Sequence, residues 1–101
     1  MTTEQKIKYI ADHYGYEPQS RQLIEELSEL IQAVCKHNRA LTERSCRNQV
    51  DAMKKDAIIE EMADVTIMMC QLQHILGIGN LDLDSKIERK LDRQIERIKN
   101  E

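Results

Sequence analysis

The chain has 101 residues, which allows one small domain (1–101) with a modest core. Three Tyr, no Trp or Phe, three Gly and one Pro leave long helix-forming stretches unbroken, so an all-α fold is expected and strand-rich folds are disfavoured. The formal net charge of -3 argues against a duplex nucleic-acid partner, which would call for a basic surface.

In chain order, a first helix is expected over Thr3–Tyr14, capped by Thr2 or Thr3 and ended by Gly15. "GYEPQS" is a turn, and Pro18 suits the first positions of a second helix over 18–37. That helix carries Leu23, Ile24, Leu27, Leu30, Ile31 and Val34 at helical spacing. Residues 38–54 are more polar and less periodic, and read as a linker with at most a short helix. A third helix is expected over 54–76, ended by "GIGN". A fourth starts near Leu83, with "SKIE" (Ser85–Glu88) as a capping box and Leu83, Ile87, Leu91, Ile95 and Ile98 as its apolar stripe. Three main helices and a shorter one make a small bundle, to be completed by oligomerisation.

Cys35, Cys46 and Cys70 form no C-x-x-C pair, and their odd number fits reduced thiols. No apolar run reaches membrane-spanning length, and "MTTEQKIKYIADHYG" lacks a signal-peptide core. A soluble, cytoplasmic protein with no membrane partner is the expectation.

Acidic residues carry the functional signal. In the second helix Glu26 lies at the edge of the apolar stripe, with Glu25 and Glu29 further round. Taken alone, these acids fit an ordinary solvated face. The third helix is different, because Ile58–Leu76 is apolar nearly all round and should be buried on most sides. Glu61 and Asp64 interrupt the face that also bears Ala57, Met68, Leu72 and Ile75. Buried carboxylates need a cation, which a lone Lys or Arg or a metal would provide. "EELSE" (25–29) and "EEMAD" (60–64) share the pattern E-E-x-x-[E/D]. Antiparallel packing would let Glu26, Glu29, Glu61 and Asp64 converge. Hard oxygen ligands favour Mg²⁺ or Mn²⁺ over zinc. A di-iron bundle would need Glu-x-x-His, and Ile10, Val34 and Gln71 stand three residues before His13, His37 and His74.

On the fourth helix Lys86, Lys90, Arg93 and Arg97 fall within about 60° of one another beside the apolar stripe. A charged solvated face accounts for them alone. Beside a carboxylate metal site, they suggest a nucleotide polyphosphate.

These motifs resemble the MazG-like, all-α nucleoside triphosphate pyrophosphohydrolases. That family bears E-E-x-x-E on one helix and E-x-x-D on the next, matched here by Glu25, Glu26 and Glu29, then Glu61 and Asp64. "ADVTIMMCQLQHILGI" and "KLDRQIERI", with Lys90 and Arg97 at basic positions, extend the likeness over residues 13–98. The chain departs from the family in a longer linker and in Gln94, where many members carry Asn. The resemblance implies Mg²⁺-dependent hydrolysis of a nucleoside triphosphate to monophosphate and pyrophosphate. It implies Glu26, Glu29, Glu61 and Asp64 as metal ligands, and Glu25 and Glu29 as catalytic, Glu25 holding a second ion or orienting water. Lys90 and Arg97, with Lys86 and Arg93, would bind the phosphates, and the protein would be a homodimer or homotetramer. Two rivals remain: a non-catalytic helical adaptor and a metal-sensing carboxylate bundle.

Other residues have plainer expectations. Tyr14 and Tyr16 pack at a helix junction, and His13 and His37 lie on the surface. His74 is a satisfied interface histidine, Cys70 a small core residue, and Met53, Met62, Met68 and Met69 core filler. Lys54 and Lys55 sit at a helix N-terminus, solvated or serving a phosphate.

Overall fold

The structure, a computed structural model, describes the backbone of residues 1–42 and 47–101 and the side chains of 1–39 and 54–101. Four helices follow one another: α1 (Thr3–Tyr14), α2 (Tyr16–Thr42), α3 (Arg47–Ile75) and α4 (Asn80–Lys99). The described residues form no strand. No helix among them is long and apolar enough to cross a membrane.

Helix α1 begins as its sequence predicts. Gln5 N–H donates to Thr2 Oγ1 at 3.1 Å, and Thr2 N–H donates to Gln5 Oε1 at 2.9 Å, a reciprocal cap that satisfies two otherwise orphaned donors. Gly15 ends the helix at φ 80, where a side chain would be strained, and its N–H donates to the Ala11 carbonyl at 2.8 Å. A single residue therefore separates α1 from α2.

The next two helices are longer than their patterning suggests. Helix α2 has 27 residues and α3 has 29, so each spans about 40 Å. Much of the expected 38–54 linker is helical, and its remaining residues, 43–46, lie outside the described ones. Polarity misled here: a helix surface needs no apolar residues to continue. Lys54 and Lys55 consequently stand well inside α3, not at its start; Lys54 is half-buried and Lys55 exposed. Helix α4 starts at Asn80 behind an extended Gly79, so Ser85 lies within the helix and "SKIE" is not its cap. Gly77, at φ 66, makes the turn between α3 and α4.

Helices α2 and α3 pack antiparallel as the main pair, with α1 laid mostly against α3. Gln19 meets Gln71 across the pair, while Glu26 and Glu29 meet Glu61 and Asp64, so residue numbers rise on one helix as they fall on the other. Among the described side chains the buried apolar residues are Ala11, Ala33, Val65 and Met68, beside the fully buried Gln71. Gln71 accepts from Gln19 Nε2 at 2.7 Å, and His74 Nε2 pairs with Asp12 Oδ1 at 2.8 Å, pinning α1 to α3.

Several expected core residues are on the surface. In α2, Ile24 and Ile31 are 68% and 63% exposed, and Leu27 and Val34 are exposed as well. In α3, Ile59, Met62, Ile67, Met69 and Cys70 are exposed. Tyr14 and Tyr16 also face solvent, so neither fills the α1/α2 junction. Met53 lies outside the described side chains. The cause is geometric. Ile24, Leu27, Ile31 and Val34 recur at a 3-4-3 spacing about 100° round from the α2/α3 seam, and so do Ile59, Met62, Thr66 and Met69. In an antiparallel pair both rotations lead to the same side. The two stripes form one apolar face that, among the described residues, no other helix covers.

Among the described residues the body of α4 packs against no other helix, although Asn80 Oδ1 at its start accepts from Gln73 Nε2 of α3 at 2.6 Å, and its stripe of Leu83, Ile87, Leu91, Ile95 and Ile98 is exposed throughout. The radius of gyration is 17.4 Å, against about 13 Å for a compact chain of this length. The accessible surface is 8307 Å², where a folded 11.8 kDa monomer exposes about 5,900 Å². The difference, roughly 2,400 Å², is of the order that a subunit in a permanent assembly covers.

Candidate metal centre

The two acidic motifs occupy facing stretches of α2 and α3, and the antiparallel register brings them together. One carboxylate oxygen from each of Glu26, Glu29, Glu61 and Asp64 lies within 4.8 Å of all the others. Glu26 and Glu61 are half-buried; Glu29 and Asp64 are exposed. The group sits on the seam and leans away from the apolar face.

Two features distinguish it from a solvated acidic patch. Glu26 Oε2 and Glu61 Oε2 are buried, and neither has a hydrogen-bond partner. Buried oxygens without a donor usually cost stability, which a cation would offset. Secondly, the ion pairs Lys8–Glu4, Arg21–Glu17 and His74–Asp12 all leave the group aside. Among the described residues, no Lys or Arg forms an ion pair with these acids.

Mutual repulsion is visible in Glu29. Its carboxyl is held above the ordinary value chiefly by the Glu26 charge, then by desolvation, a hydrogen bond with Glu26, and the charges of Glu61 and Glu25. Glu25 is exposed and outside the four-oxygen group, yet near enough to act on Glu29.

Lys86, Lys90, Arg93 and Arg97 are all exposed on α4. Because the body of α4 beyond Asn80 packs on neither α2 nor α3 among the described residues, one chain does not bring them to the carboxylates. His13 is exposed with its ring edge-on to Tyr14, whereas His37 is half-buried and its Nδ1 has no partner. A cleft of about 520 Å³ between α1, the end of α3 and the start of α4 is lined by Lys8, Cys70, Gln73, His74 and Asn80, and includes none of the four acids. Sequence patterning passed over Gln22, whose Nε2 donates to Glu26 Oε1 at 2.9 Å. The signal was its i, i+4 spacing to Glu26.

The fold and site together define an α-helical carboxylate cluster. No protein-family model, curated protein or solved structure matches the chain.

Proposed function

We propose that the chain is a metal-dependent nucleoside triphosphate pyrophosphohydrolase, as its motifs' resemblance to the MazG-like family implies. The observation that carries this reading is the four-carboxylate group with two buried, unpartnered oxygens. All-oxygen donors suit a hard cation, so Glu26, Glu29, Glu61 and Asp64 would hold Mg²⁺, with Mn²⁺ as an alternative. Bound there, the metal supplies charge for the phosphates and a water of lowered pKa.

Glu29 acts from within the group. Glu25, one turn before it and outside the four oxygens, is suited to orient water or hold a second ion. Water adds to one of the two phosphorus atoms of the α–β anhydride and gives up a proton to solvent, the bond from that phosphorus to the bridging oxygen breaks, and monophosphate and pyrophosphate leave.

The assembly is a homodimer or homotetramer. A second copy of the α2/α3 apolar face covers the first, since two such helix pairs face to face make a four-helix bundle. The α4 stripe of Lys86, Lys90, Arg93 and Arg97 then joins the acids from a neighbouring copy and neutralises the triphosphate. A second reading, a metal-binding bundle without hydrolysis, draws on the separation of α4 from the acids within one chain.

The test is pyrophosphate release from canonical and modified nucleoside triphosphates with Mg²⁺, with Mn²⁺ and with chelator. Metal-dependent release with monophosphate as co-product is expected. A folded, metal-loaded protein that hydrolyses none of them refutes the enzyme and leaves the metal bundle or an adaptor.

A further inference from the structure

We infer that Gln22 is a positioning residue that sets the Glu26 carboxylate for metal binding, an inference that rests on the metal site proposed above. Its Nε2 donates to Glu26 Oε1 at 2.9 Å in a partly buried setting. The bond occupies one oxygen of Glu26 and leaves the other, Oε2, buried without a partner. A carboxylate held by one oxygen presents the second in a fixed direction, which lowers the ordering cost of ligation.

The chemistry of the donor supports this role. Elsewhere the chain pairs acids at i, i+4 with cations, as in Lys8–Glu4 and Arg21–Glu17, both at exposed positions. At Glu26 the donor is a neutral amide. A Lys or Arg there would offset the carboxylate charge and compete with a metal; an amide orients the group and keeps its charge available. Gln19, one turn earlier on α2, makes a different bond, to the buried Gln71, and is a natural control because it lies on the same seam but touches none of the four acids.

The test measures Mn²⁺ affinity by electron paramagnetic resonance on the intact protein. Gln22→Met keeps the length and apolar stem without the donor; Gln19→Met and Glu26→Leu complete the set, each with a helical spectrum recorded. Gln22→Met should weaken Mn²⁺ roughly tenfold or more, within the range for outer partners of metal ligands. Gln19→Met should leave the affinity unchanged while lowering thermal stability. In the Glu26→Leu background, which leaves no side-chain acceptor, Gln22→Met should add no further loss, because its partner is gone. Equal affinity for wild type and Gln22→Met, or an undiminished effect in the Glu26→Leu background, overturns the positioning role alone. Wild type that binds no Mn²⁺ overturns the metal site and this role together.

Discussion

Replacing Glu61 with Gln should make the metal-free protein more stable while removing its response to metal. Glu61 is half-buried, its Oε2 has no partner, and three other carboxylates lie within 4.8 Å. The amide removes one of four like charges and brings two N–H donors to neighbouring carboxylate oxygens. Relieving one unsatisfied buried acceptor contributes about 1 kcal/mol at a partly exposed site, the low end of the usual range. For a domain of this size that corresponds to a rise in Tm of roughly 4–8 °C. With Mg²⁺ the order reverses. Ligand at a hundredfold excess over Kd stabilises wild type by about 2.7 kcal/mol, and the variant, short of one ligand, loses most of that. Thermal melts with chelator and with saturating Mg²⁺, at one fixed protein concentration, give all four values. A fall in Tm for metal-free Glu61→Gln, or an undiminished Mg²⁺ shift, would show that the acids do not form a strained cation site. The variant should also lose turnover while keeping its helical spectrum.

Three further outcomes follow from the geometry. Glu29's carboxyl is raised in the metal-free fold, chiefly by Glu26, so the folded state holds that proton more tightly than the unfolded chain. This contribution to metal-free stability is therefore present at low pH and fades as pH rises through the raised value, while metal binding requires the proton to leave. The Mg²⁺-induced rise in Tm should grow from about pH 4 to about pH 7, and a flat profile would contradict it. Gln19→Leu strands the buried Gln71 amide and should cost about 1–3 kcal/mol, read as a lower denaturation midpoint; an unchanged midpoint would show that Gln71 finds another partner. Ile31→Glu puts a charge in the exposed α2 stripe, and light scattering at micromolar concentration should show loss of the oligomer; an unaltered mass would place the interface elsewhere.

The acidic motifs were legible in the sequence because spacing alone puts Glu26, Glu29, Glu61 and Asp64 on two helix faces; that the two helices run antiparallel was a condition of the reading, not something the 38–54 stretch revealed. Thr2, Gly15 and Gly77 were legible for the same local reason: caps and positive φ are written in a few residues. What covers a face is not local. Ile24, Ile31, Met62 and Met69 read as core, yet the chain buries Gln71 and leaves them exposed. A helical wheel gives the direction of a stripe without its partner. Gln19, Gln22 and Gln71 escaped notice because amides are ordinary surface residues, and only the register sets them in the seam. The free-standing α4 was hidden similarly, since its stripe looks the same whether its own chain or another covers it.

The most direct measurement is a crystal structure grown with Mn²⁺, with anomalous data collected to locate the ion. The account predicts a peak at the α2/α3 seam, within roughly 2.2 Å of oxygens from Glu26, Glu29, Glu61 and Asp64. A seam without Mn²⁺, its acids paired instead with Lys or Arg of a neighbouring copy, would contradict it and make the cluster a subunit contact.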